Sequence, residues 1–95
     1  MAAYIYASVE VEDPKAYEEY RKAVPAVIAA YGGRYLVRGG ASVCLEGNVS
    51  APRLVILEFP DMARLRAFYD SPEYRLLLAI RQRTARSTLI AVEGV

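Results

Sequence analysis

The sequence predicts an α+β domain of order β-α-β-β-α-β, and three observations carry that reading. Residues 4–11 alternate with period two, setting Tyr4, Tyr6, Ser8 and Glu10 on one side and Ile5, Ala7, Val9 and Val11 on the other. Two cap-and-proline pairs, Asp13-Pro14 and Ser71-Pro72, each open a helix, because proline at the first helical position sacrifices an N–H that has no partner there anyway. Residues 53–59 are apolar on both sides, as expected of a strand flanked by others and covered on each face.

The first strand is followed by a helix whose stripe of Tyr17, Tyr20, Val24, Val27, Ile28 and Tyr31 recurs at helical spacing, with Glu18, Glu19, Arg21 and Lys22 mainly outside it. Pro25 cannot donate to the carbonyl four residues back, so one bent helix or two short ones are expected before Gly32-Gly33 ends the run. Residues 34–38 read as the second strand, Gly39-Gly40 as a bend or bulge, 41–46 as its continuation, and Gly47, Asn48 and Pro52 as a turn. In the third strand Leu54 and Ile56 face one way, and Val55, Leu57 and Phe59 the other. Asp61 caps a short helix with Met62, Leu65, Phe68 and Tyr69 inward, stopping at Asp70. Ser71-Pro72-Glu73 launches another through about Arg83, and residues 88–92 form the last strand.

This order fits one ferredoxin-like domain over residues 1–95, a four-stranded antiparallel sheet with helices on one face. The other sheet face would then lie bare, with the second sides of strands one and three forming a large exposed patch. A second copy related by two-fold symmetry is the expected cover, which makes the chain a homodimer.

Composition narrows the function. With 12 basic and 11 acidic residues the net charge is +1, so no global field attracts nucleic acid or an anionic membrane. No apolar run approaches the roughly 20 residues of a spanning helix, and the opening residues lack the pattern of a signal peptide, so a cytoplasmic protein is expected. One cysteine, Cys44, excludes an internal disulfide. The absence of histidine removes Cys/His zinc sites, Ser-His-Asp triads and Cys-His dyads. No metal and no cofactor are expected.

Tyr20, the stretch Tyr31-Gly32-Gly33-Arg34-Tyr35-Leu36-Val37-Arg38-Gly39-Gly40, Leu45-Glu46-Gly47, Ile56-Leu57-Glu58-Phe59-Pro60, Phe68-Tyr69-Asp70-Ser71-Pro72-Glu73-Tyr74, Arg81 and Val92-Glu93-Gly94 jointly form a specific pattern. In these the chain resembles, over nearly its whole length, the family called domain of unknown function 1330. The resemblance implies ferredoxin-like subunits paired as a dimeric α/β-barrel, in a superfamily that also holds small monooxygenases, isomerases and ligand-sensing regulatory domains. It implies no reaction and transfers no catalytic residue. Phe68 stands where family members often carry tryptophan, a difference of packing rather than chemistry.

Arg81 is the most informative single residue, because the helical wheel sets it among Tyr74, Leu77 and Leu78 in the apolar stripe. A guanidinium cannot deprotonate to escape burial, so it must meet a carboxylate, with Glu58 and Glu93 as candidates, snorkel outward, or hold an anionic ligand. Glu58 follows apolar residues along its strand, and in a chain without histidine a desolvated carboxylate beside a tyrosine is the most plausible proton-transfer pair. Glu58 and Arg81 are therefore the candidate catalytic residues. Tyr4, Tyr6, Tyr35, Tyr69 and Tyr74, with Arg38 to hold an acid, are the candidate ligand-binding set, offering hydroxyls over apolar walls.

Weaker signals get the bland reading. Arg75, Arg83 and Arg86 form a basic strip if helical geometry persists, which suits a solvated face better than a nucleic-acid site. Cys44, between Val43 and Leu45, reads as a buried small residue, and Asn48-Val49-Ser50 matches a glycosylation acceptor without a secretory context. Two functions follow: a small aromatic or carboxylic ligand bound, or turned over without cofactor, in a pocket near the dimer seam, or a non-catalytic dimerisation or regulatory module.

Overall fold

The computed structural model describes residues 1–48 and 53–95. Its elements run β1 (Ala3–Val11), α1 (Pro14–Ala30), β2 (Arg34–Arg38), β3 (Arg53–Phe59), α2 (Met62–Tyr69), α3 (Pro72–Thr84) and β4 (Ala85–Glu93). The strands form one antiparallel sheet of order β2-β3-β1-β4, the ferredoxin-like arrangement, with β1 and β3 in the centre. The helices cover one face, where Ala3, Ile5, Ala7 and Val9 of β1 meet Leu57 and Phe59 of β3 and the inward residues of all three helices.

Each helix begins where its cap dictates. The Asp13 carboxylate accepts from Ala16 N at 3.2 Å, Asp61 from Arg64 N at 2.7 Å, and the Ser71 hydroxyl from Tyr74 N at 3.1 Å, each satisfying an N–H left free by the helix geometry. α1 is a single element with Pro25 inside it. Its buried stripe is Tyr17, Tyr20, Val24 and Ile28, and tertiary packing of that stripe holds the helix through the proline.

Three expectations about the strands and helix ends change. Residues 41–46 do not continue β2: the register against β3 ends at Arg38↔Val55, with Gly39 N donating to Leu54 O at 2.7 Å, so beyond it no described strand offers a partner. β4 is longer than 88–92, because pairing with β1 runs unbroken from Val11↔Ala85 to Ala3↔Glu93 and overrides the weak pattern of Ala85-Arg86-Ser87. Arg86 consequently lies on a strand, and Arg75 is paired with Asp70 at 2.8 Å, so the basic strip along one helix is not formed. Cys44 is exposed rather than buried, because the segment that holds it has no sheet to pack on. The turn through Gly47, Asn48 and Pro52 and the Asn48-Val49-Ser50 signal fall partly outside the described residues.

The opposite sheet face is open. Tyr6, Ile90 and Val92 are exposed there, and Leu54 and Ile56 half-buried. Among the described residues no helix is long and apolar enough to cross a membrane.

Candidate ligand-binding site

The site lies between sheet and helices, at the end of the sheet where β1 finishes and β3 and β4 begin. β3 is the first determinant: Arg53 shares the parity of Val55, Leu57 and Phe59 and therefore points under the helices, opposite Val9. β2 supplies Tyr35 and Arg38 together. Three residues apart, they would ordinarily face opposite ways, but a β-bulge between Tyr35 and Val37 adds a residue and turns both inward, with the Arg38 guanidinium 4.6 Å from the Tyr35 ring centroid. α1 contributes Tyr17, Tyr20 and Arg21, and α3 contributes Tyr74 and Arg81.

These side chains line a cavity of about 50 Å³, walled otherwise by Ile5, Ala7, Val24, Leu57, Phe68 and similar apolar groups. Arg81 is at its floor, only 6% exposed, whereas Arg38 and Arg21 are exposed at its mouth and Arg53 is intermediate. The Tyr20 and Tyr74 hydroxyls hydrogen-bond each other at 2.9 Å beside Arg81. Burial raises the phenols of Tyr17, Tyr20 and Tyr35 above the usual tyrosine value, most strongly at Tyr20, so at neutral pH these are uncharged hydroxyls. Burial works against the Arg81 charge, and the Tyr74 and Tyr20 oxygens beside it work in its favour.

Among the described residues no carboxylate, imidazole or thiol lines this cavity. Of its arginines, Arg21 is bound by Glu18 at 2.9 Å, while Arg38, Arg53 and Arg81 have no carboxylate partner among the described residues. Residues 49–52, Val-Ser-Ala-Pro, carry no acidic side chain to supply one. Among the described residues the buried side-chain polar atoms without any hydrogen-bond partner are Arg53 Nε on β3, Ser87 Oγ on β4 and Arg81 Nε on α3. Register places Arg53, Val9 and Ser87 in one cross-strand row. Buried polar groups are nearly always satisfied, so the unpartnered Nε atoms of Arg53 and Arg81, both in the cavity lining, are free to bond a water or a ligand there.

The candidate residues thus separate. Tyr35, Arg38, Tyr74 and Arg81 meet in the cavity. Tyr69 packs at a tilt against Tyr74, centroids 5.6 Å apart, but opens on a second cavity of about 320 Å³ between α2 and β4, lined also by Met62, Arg66 and Asp70. Tyr4, Tyr6 and Glu58 lie on the open sheet face. The expected meeting of Arg81 with Glu58 or Glu93 does not occur. Strand parity turns Glu58 away from the helices, where it binds Arg34 at 2.7 Å. Those two and the Tyr4 hydroxyl form a cluster in which Arg34 holds the Glu58 carboxyl below its ordinary value, and the bond to Glu58 pushes the Tyr4 phenol up. Glu93 ends β4 at the far end from Arg81, roughly 27 Å along a nine-residue strand.

Tyr17, Tyr20 and Arg53 also belong to the site, although the sequence pattern marks them only as core stripe or strand start. For Arg53 the signal was available, since a cation of the same strand parity as Leu57 and Phe59 points into the core.

A family model described as Domain of unknown function (DUF1330) matches residues 2–95. The chain belongs to the DUF1330 family. No curated protein matches it. Among solved structures this DUF1330 chain is similar to the RPA0582 protein of unknown function from Rhodopseudomonas palustris, at 21% identity and TM-score 0.80, covering 99% of this chain and 82% of that one. It is also similar to a dimeric ferredoxin-like protein of unknown function from Jannaschia sp. CCS1, at 17% identity and TM-score 0.68, covering 99% and 100%. SnoaB, a cofactor-independent oxygenase from Streptomyces nogalater, matches at 12% identity and TM-score 0.65, covering 99% and 92%. At these identities the similarity establishes the ferredoxin-like fold of this DUF1330 chain and nothing finer.

Proposed function

We propose that this protein binds a small carboxylic acid in the cavity between sheet and helices, as a homodimer paired through its open sheet face. The observation that carries the binding reading is Arg81: 6% exposed, its Nε unpartnered, on the floor of a cavity that no carboxylate lines. The Tyr74 and Tyr20 oxygens favour this cation but are uncharged hydroxyls, so a bound anion supplies the counter-charge that none of the described lining side chains carries. Tyr74 and Tyr20 add hydroxyls for the acid oxygens, and the apolar wall suits the rest of the molecule. With no carboxylate, imidazole or thiol in the lining, binding rather than side-chain general-base catalysis is the reading supported.

The homodimer rests on Tyr6, Leu54, Ile56, Ile90 and Val92 lying together on a face that no helix covers. The dimeric state of the ferredoxin-like relative from Jannaschia supports it.

Binding is tested by thermal shift and calorimetry with benzoate and acetate against the uncharged benzamide and acetamide. The acids should stabilise the protein and the amides should not, with the effect lost in R81M. Equal response to acids and amides, or retention of the response in R81M, refutes the reading.

A further inference from the structure

Three guanidinium groups face one small cavity, and a single carboxylate does not balance them. Arg81 lies at the closed end, while Arg38 and Arg53 stand towards the mouth, and none of the three has an acidic partner among the described residues. Arg53 is held in place from behind. Gly39, at φ +70, lies under its guanidinium so closely that a Cβ there would stand 2.6 Å from the nearer Nη, and Gly39 N is tied to Leu54 O at 2.7 Å. Its Nε is nonetheless orphaned. Tyr17 connects the two ends, its phenol feeling the charges of both Arg53 and Arg81.

Size sharpens the point. The cavity volume of about 50 Å³ is a third of the roughly 150 Å³ of an apolar cavity known to hold benzene. The floor at Arg81 therefore receives an acid head group, and the body of the ligand extends past Tyr17 and Tyr35 towards Arg38 and Arg53.

Resting on the acid-binding reading above, we infer that the ligand is a dicarboxylic acid, one carboxylate seated on Arg81 and the other bound between Arg38 and Arg53, with an apolar segment between them. The planar forks of two arginines at the mouth match a carboxylate in geometry as well as charge. Arg21 adds little, because Glu18 already neutralises it.

The test is calorimetry at pH 7 with matched pairs: benzoate against phthalate and terephthalate, and butyrate against succinate, glutarate and adipate, with inorganic phosphate and chloride as controls for simple anion attraction. At least one diacid should bind about ten-fold tighter than its monoacid, the gain of one further charge-assisted contact. In R38Q and R53Q that advantage should shrink to about two-fold while monoacid binding persists. Arg38 is exposed, so R38Q should fold, and circular dichroism checks both variants. If monoacids bind through Arg81 but no diacid binds tighter, the dicarboxylate inference fails and the acid-binding reading stands. A diacid advantage untouched in both variants also overturns it. If neither class binds, both fall.

Discussion

Replacing Arg81 with methionine isolates the central physical oddity of this fold, a buried cation without a carboxylate. Methionine keeps an unbranched apolar stem of similar reach, so the packing that Arg81 makes against its neighbours is largely retained, whereas alanine would add a cavity penalty. The Tyr74 hydroxyl keeps its partner Tyr20 at 2.9 Å, so the substitution strands no new polar group. What disappears is the desolvation cost of a guanidinium only 6% exposed and its repulsion from Arg38 and Arg53 in the same lining. Replacing a buried ion pair or triad by apolar residues of similar volume is neutral or gains about 1–4 kcal/mol in other proteins. The hydroxyls beside Arg81 already return part of the cost, so the lower end, about 1 kcal/mol, is expected here. For a chain of this size that raises Tm by about 4–8 °C. The assay is thermal unfolding of wild type and R81M at equal protein concentration in a buffer free of carboxylates and phosphate, because both ligands and oligomerisation move Tm. A fall in Tm of several degrees would refute the reasoning, showing Arg81 to be satisfied within the fold.

Four further outcomes follow from other contacts. Y20F and Y74F should each destabilise by about 1 kcal/mol by removing the bond between the two buried hydroxyls, and the double variant by less than their sum, since both single changes remove that same bond; additive losses in a denaturant cycle would contradict this. G33A should destabilise by about 1–3 kcal/mol, because a Cβ at Gly33 would lie 2.6 Å from the Phe59 ring and 2.9 Å from Ile28; an unchanged midpoint in urea would count against that packing. Because Arg34 holds the Glu58 carboxyl below its ordinary value, the folded state binds that proton less readily than the unfolded chain. Its stabilisation is thus fully present above the ordinary carboxylate value and is lost as pH falls through the depressed one, so the stability gap between wild type and E58Q should close on acidification, and a pH-independent gap would contradict the assignment. I90K together with V92K should convert a dimer to a monomer in size-exclusion chromatography; an unchanged elution volume would move the dimer interface off the open sheet face.

Most of the fold was legible because it is written in local rules. Asp13-Pro14, Asp61 and Ser71-Pro72 mark helix starts irrespective of tertiary context, and the two-sided apolar pattern of residues 53–59 requires a central strand, as observed. The errors arose where pairing decides. The end of β2 depends on what β3 offers, and the start of β4 on how far β1 extends, neither of which a linear pattern states. The site was half legible. Arg81 stood out as a cation in an apolar stripe, but its partnership with Glu58 ignored strand parity, which turns Glu58 to the opposite face from Leu57 and Phe59. Arg38 beside Tyr35 depends on a bulge that no residue pattern in β2 announces.

The most direct measurement is a crystal structure of the protein grown with a saturating small acid such as benzoate or glutarate. A carboxylate oxygen should lie about 2.7–3.0 Å from Arg81 Nε, within reach of the Tyr74 hydroxyl, filling the space between sheet and helices. Arg81 Nε bonded to a group of its own chain, with the acid elsewhere or absent, would contradict the account.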